Sequence, residues 1–168
     1  MDILGHALWG YVVFRKKALT KWTVLMAMMP DLLSFGIYLV ILLFTGRLYK
    51  ITAILGGPEF HTIPNYVIFI YNTTHSLLIA GMFGIFVYLK YRKYMVLIWG
   101  WMMHIGIDIF THTDTFFPTH ILYPVSYVHF SFIRWSDPWF MIANYTAFIV
   151  IYSIIGYKAW KRKKRTVI

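Results

Sequence analysis

Five side chains able to ligate a metal or carry a proton stand inside otherwise apolar stretches of this sequence: His6, Asp31, His75, His104 and Asp108. An ionisable group deep in a bilayer costs about 2.5 kcal/mol or more on insertion scales, so each should face protein and find a partner. At about 1.5 Å of rise per residue, Asp31 lies about 10 Å from the inner end of its segment, His6 about 12 Å, His104 about 15 Å, and His75 and Asp108 about 21 Å. All of them then share the central layer of a hydrocarbon core about 30 Å thick, and one convergent metal site is the expectation. His104 and Asp108 are related as i and i+4 and project from one helix face, a usual geometry for two ligands of one ion. His112 continues that face near its outer end. Asp31 and Ser34 also share a face, and Pro30 can kink the helix there and free a carbonyl.

The chain has no Cys, which removes disulfides, thiolate catalysis and Cys-bound zinc. Nitrogen and oxygen donors alone suit zinc first, with manganese or iron as alternatives. Three His and two Asp exceed the three protein ligands usual for a mononuclear catalytic zinc, so either one Asp serves as a base or two ions bind. The same residues would serve an ion pair or a proton relay. His112, Asp114, His120 and His129 fall at or beyond the outer boundary, where solvation is expected, with His112 best placed for a role in the site.

The elements that must position these residues are membrane spans. The 168 residues are 60% hydrophobic and only 13% charged, with a mean hydropathy of +0.63, outside the balance of soluble domains. Segments 24–44, 66–89, 95–111 and 139–157 are long enough to span, and a basic tail covers 158–168. Residues 1–14 are apolar and precede Arg15, Lys16 and Lys17, the reverse of a secretory signal, so they are expected to belong to the mature fold as a short re-entrant or half helix. The expected fold is an all-α integral membrane bundle of about four transmembrane helices, in one domain over 1–168.

Lys and Arg number thirteen and three in alternate inter-span segments. The positive-inside rule therefore puts the 15–21 loop, the Lys90–Lys93 turn and the C-terminus in the cytoplasm, in a multi-pass protein of the inner (cytoplasmic) membrane. The basic residues cluster at the ends of apolar runs, which argues against a nucleic-acid partner despite the net charge of +10. Membrane lipid is the expected partner, and a homo-oligomer is compatible with the sequence. The two outer loops, 46–65 with Gly56-Gly57-Pro58 and 113–138 with Pro118 and Pro124, could cap the bundle on the membrane surface.

Four motifs occur in order: His6-x-x-x-Gly10, Pro30-Asp31, Thr74-His75-Ser76, and His104-x-x-x-Asp108-x-x-Thr111. Over roughly residues 1–125 they resemble the membrane-bound metal-dependent hydrolase family, whose bacterial members include LexA-regulated inner-membrane proteins. The resemblance implies that His6, Asp31, His75, His104 and Asp108 bind the metal, and that the metal is catalytic. Leu33 stands where the family often has a second Asp, which argues against two ions. Tyr71 and Asn72 stand near the place of a His-Arg pair.

The leading expectation is a metal-dependent hydrolase acting on a lipid or other amphiphilic ester or phosphoester. Its ion would lower the pKa of water towards about 7. Asp31 or Asp108 would act as base, His112 would protonate the leaving group, and Thr74 or Ser76 would orient the substrate. A metal-ion or proton transporter or channel using the same cluster is the alternative. A scaffold with a structural metal is a third reading.

Overall fold

The structure is a computed structural model, and it describes residues 1–50 and 63–166. The Gly56-Gly57-Pro58 portion of the first outer loop lies outside the described residues. The described elements are helical throughout, in the order α1 (Ile3–Phe14), α2 (Thr20–Asp31), a π-helical stretch (Leu32–Gly36), α3 (Ile37–Phe44), α4 (Asn65–Thr74), α5 (Leu77–Tyr91), α6 (Met95–Thr111) and α7 (Pro138–Thr166), with short 3-10 turns at Leu48–Lys50 and Arg92–Tyr94. Two compact units emerge, Met1–Ser136 and Asp137–Ile168. The described part of the second is α7, which contains the expected 139–157 span and the basic tail as far as Thr166.

Three helical stretches are long and apolar enough to cross a membrane: Thr20–Phe44, Leu77–Thr111 and Pro138–Arg165. The Leu77–Thr111 stretch reverses at the Arg92–Tyr94 turn, so that α5 and α6 pack side by side with Gly84 against Ile98. A Cβ on Gly84 would come 3.1 Å from the Ile98 side chain. The expected continuous span 66–89 is interrupted. Helix α4 ends at Thr74, and Ser76 is extended (φ −87°, ψ 121°) before α5 begins. The apolar run conceals the break because a span is recognised by composition, whereas the break is stabilised by side chains that cap it. Residues 1–14 form a helix as expected, with the Asp2 carboxylate accepting from Gly5 N–H at 2.8 Å as its N-cap.

The first unit is organised around α2 and α6, which pack on one another along most of their lengths. Small residues permit it. A Cβ on Gly100 would fall 2.5 Å from the Thr23 carbonyl oxygen, so only glycine lets the two backbones approach this closely. Thr23, Ala27 and Asp31 form one buried ridge on α2, and Gly100, His104 and Asp108 form the facing ridge on α6. Thr23 meets Gly100 and Ala27 meets His104, so the helices run parallel. Helix α1 runs the other way along α2, with Gly10 against Ala27 and His6 near Asp31.

The π-helical stretch follows Pro30, whose missing N–H opens the helical ladder. Pro30 carbonyl accepts from the Ser34 hydroxyl at 2.9 Å and from Thr74 at 3.4 Å. An aromatic cluster of Tyr38, Tyr71, Phe116 and Phe117, with Leu42 and Val67, joins α3, α4 and the loop after α6.

Candidate metal centre

Asp31, His75, His104 and Asp108 converge in the first unit, each offering one ligand atom, all within 4.8 Å of one another. This group can hold a metal ion. Three of the four are wholly shielded from solvent, and Asp31 is nearly so.

The tautomers of both histidines follow from their partners. His104 Nδ1–H donates to the Ala27 carbonyl at 2.7 Å, and His75 Nδ1–H donates to the Tyr71 carbonyl at 2.9 Å, because a carbonyl can only accept. In neutral rings both Nε2 atoms then carry lone pairs, yet they lie 2.9 Å apart. Two lone pairs at that distance repel unless a cation lies between them. The outer partner that fixes a metal-binding His is commonly such a carbonyl.

Carboxylate oxygens complete the set. Asp108 Oδ2 lies 3.1 Å from His104 Nε2 and 3.3 Å from His75 Nε2. Asp31 Oδ1 lies 3.4 Å from His75 Nε2 and 3.9 Å from His104 Nε2. With bonds of about 2.0–2.1 Å, the donors of a tetrahedral ion are separated by about 3.3–3.4 Å; the Asp108 Oδ2 separations and that of Asp31 Oδ1 from His75 lie close to this, whereas the two Nε2 atoms are closer, at 2.9 Å, and Asp31 Oδ1 is farther from His104, at 3.9 Å. Asp108 Oδ2 is also a buried oxygen with no hydrogen-bond partner, the kind of orphaned atom that calls for an explanation.

His6 sits beside this group. Its ring stacks on His104 with centroids 3.7 Å apart, and its Nε2 approaches Asp108 Oδ1 at 3.0 Å and Asp31 Oδ2 at 4.0 Å. Asp108 is thus shared, Oδ2 facing His75 and His104 while Oδ1 faces His6, His112 Nε2 at 3.5 Å and the Met1 amino group. His112 is buried rather than solvated. The loop folds back so that its Nδ1–H donates to the Phe117 carbonyl at 2.7 Å, leaving Nε2 aimed at Asp108. Phe117 holds an unusual positive φ of 49°, and its carbonyl also accepts from the Tyr71 hydroxyl at 2.8 Å. Two donors on one carbonyl help offset that conformation.

The helix break positions His75. Ser76 caps α5 by accepting from Ile79 N–H at 3.3 Å and donates to the Tyr123 carbonyl at 2.7 Å. Leu78 N–H donates to the Ile121 carbonyl at 3.2 Å, and Trp101 Nε1–H donates to the Thr74 carbonyl at 2.7 Å. Backbone groups freed by the break are therefore satisfied by protein, as a low-dielectric surrounding demands. Tyr71 and Trp101 are site-building residues that the sequence reading missed; the i−4 spacing of Tyr71 from His75 is the available signal, and Trp101 has none.

The remaining candidates lie apart from the ligand group. Thr74 bonds back to Ile70 O and Tyr71 O, so both it and Ser76 are engaged with backbone. Asp114 pairs with His129 at 2.9 Å near the surface. His120 Nδ1 meets Asn72 Oδ1 at 2.9 Å, and burial, with His129 nearby, pulls its pKa below the ordinary value.

A cavity of about 300 Å³ opens beside the cluster. Asp2, Asp31 and His112 contribute polar side chains to its wall, and Leu4, Phe35, Phe117 and Trp135 are among its apolar ones. Compared with protein-family models, with curated proteins and with solved structures, the chain matches none.

Proposed function

We propose that this chain is a membrane-embedded metal-dependent hydrolase whose substrate is an amphiphile with an ester or phosphoester. The observation that carries the reading is a buried group of two imidazole nitrogens and two carboxylates at metal-sharing distances, next to an apolar cavity that Asp31 and His112 also line. A purely structural ion would have no use for such a cavity. The order of motifs that resembles the membrane-bound metal-dependent hydrolases supports the same reading.

In this reading His75 and His104 through Nε2 and Asp108 through Oδ2 would hold one divalent ion, and Asp31, the most distant of the four donors, would stand beside its open position. Zinc suits the donor set best. A bound ion of this kind supplies Lewis acidity, polarising the scissile group and acidifying water. Asp31 Oδ2 would accept the water's proton at the cavity wall, and His112, whose Nε2 bears a lone pair while Nδ1–H is held by Phe117 O, would first take up a proton at Nε2 and then deliver it to the leaving group. The apolar walls at Phe35, Phe117 and Trp135 bind the substrate's hydrocarbon part and keep water from competing. The membrane reading is of four crossings, counting α5 and α6 as separate arms, in the inner membrane with the C-terminus cytoplasmic.

The test is elemental analysis of protein purified in detergent without chelator, beside His104→Ala and Asp108→Ala. The expected result is one transition metal per chain in the parent and none in either variant, followed by ester or phosphoester hydrolysis that needs the metal. A parent that takes up no zinc or manganese overturns the proposal and leaves a proton relay. Metal flux into liposomes without hydrolysis would instead establish the transport alternative.

A further inference from the structure

A second apolar hollow lies away from the cluster, near the turn between α5 and α6. Helices α2 and α5 each close on α6, at Thr23–Gly100 and at Gly84–Ile98, but pack far less on each other. The gap between them is a groove of about 530 Å³, with Leu97 and Ile98 as floor, Met26 as one wall, Phe83 and Val87 as the other, and Tyr91 and Tyr94 at its end. Its lining carries no charged side chain. Ile98 is ten residues before Asp108 on the same helix, or about 15 Å along it, so the groove is distinct from the metal centre.

The groove ends in cations. Lys90 Nζ lies 5.5 Å from the centroid of the Tyr91 ring, and Lys93 Nζ lies 4.9 Å from that of Tyr94. Both rings line the groove. The Arg92 guanidinium sits 5.0 Å over Tyr88 on the same turn. Between Asp31 and Asp108 the sequence has one acidic residue, Glu59, and among the described residues no salt bridge reaches Lys90, Arg92 or Lys93. Three cations that make no salt bridge among the described residues, on the turn that closes an apolar groove, match one chemistry, an anionic headgroup on a hydrocarbon chain.

We infer that this groove is a binding site for one anionic phospholipid, its acyl chain lying between Met26 and Phe83 over Ile98 and its phosphate held by Lys90, Arg92 and Lys93. The site belongs to whichever leaflet meets the Arg92–Tyr94 turn, and it is independent of the metal centre.

Native mass spectrometry of the detergent-purified chain tests it, with phosphatidylglycerol and phosphatidylcholine of identical acyl chains as competing probes. One retained phosphatidylglycerol per chain is expected, at least tenfold preferred over phosphatidylcholine. The variant Lys90→Gln/Arg92→Gln/Lys93→Gln should lose that preference. Met26→Trp, which fills the groove and leaves every cation in place, should lose retention of both lipids. Equal retention of the two lipids by the parent would overturn the inference. So would a Met26→Trp protein that still holds phosphatidylglycerol, because the cations alone would then account for binding. Circular dichroism of each variant excludes misfolding, and a misfolded Met26→Trp is replaced by Val87→Phe, which fills the opposite wall.

Discussion

The metal centre is built from two sides by different means. On one side Asp31, His104 and Asp108 come from two parallel helices whose ridges, Thr23/Ala27/Asp31 and Gly100/His104/Asp108, repeat every four residues. On the other side His75 and His112 stand where helices stop, and their rings are aimed by the carbonyls of Tyr71 and Phe117. The helical side depends on close backbone approach, set by Gly100. The irregular side depends on capping hydrogen bonds, set by Ser76, Trp101 and Tyr71. Precision can thus come from packing small residues or from saturating freed polar groups, and this site uses both.

Breaking the helical side should have the larger effect. Gly100→Ala places a methyl 2.5 Å from the Thr23 carbonyl, and overpacking of this kind costs about 1–3 kcal/mol. Thermal unfolding in detergent should show that loss together with reduced metal content. Gly106→Ala, on the same helix, is the control: its Cβ meets nothing within 4 Å among the described residues, so stability and metal content should stay at the parent level or rise slightly. Equal metal loss in both would remove Gly100 from its special place in the comparison.

The irregular side should yield in a graded way. Ser76→Ala removes the α5 cap and the bond to Tyr123 O, at a cost of about 1–2 kcal/mol. Because His75 then loses its anchor, metal affinity should fall about tenfold in a chelator competition. Tyr71→Phe keeps the carbonyl that holds His75 and deletes only the hydroxyl, which donates to Phe117 O and also lies 3.3 Å from Thr119 Oγ1 and from His112 Nδ1. It should retain the metal while losing about 0.5–1.5 kcal/mol of stability. Metal loss in Tyr71→Phe would mean that the hydroxyl, not the carbonyl, positions the site.

The smallest effect concerns the loop that braces the break. His120 has a lowered pKa in the folded chain, so the unfolded chain binds its proton more readily. Its contribution to stability is present above the ordinary His value, about 6.5, and is lost as pH falls below it. His120→Gln should flatten the unfolding temperature between about pH 7 and 5, a window set by that ordinary value.

That Asp31, His75, His104 and Asp108 converge, with His6 beside them, could be anticipated from the sequence because helical periodicity and the cost of burying charge are local arguments. A rise per residue assigns depth, and i, i+4 spacing assigns a face, without knowledge of neighbours. The same arguments identified the membrane-length stretches and the disruption at Pro30. They failed at residues 66–89, where hydropathy reads as one uninterrupted span although the helix stops at Thr74. That break exists only because Tyr123, Ile121 and Trp101, distant in sequence, satisfy the groups it frees. They also placed His112 at a solvated boundary, whereas the returning loop buries it against Asp108. The sequence determined which side chains share a layer and a helix face. The tertiary structure decided which atoms meet, because a lone pair is aimed by its partner on the other side of the ring, and that partner comes from wherever the chain returns.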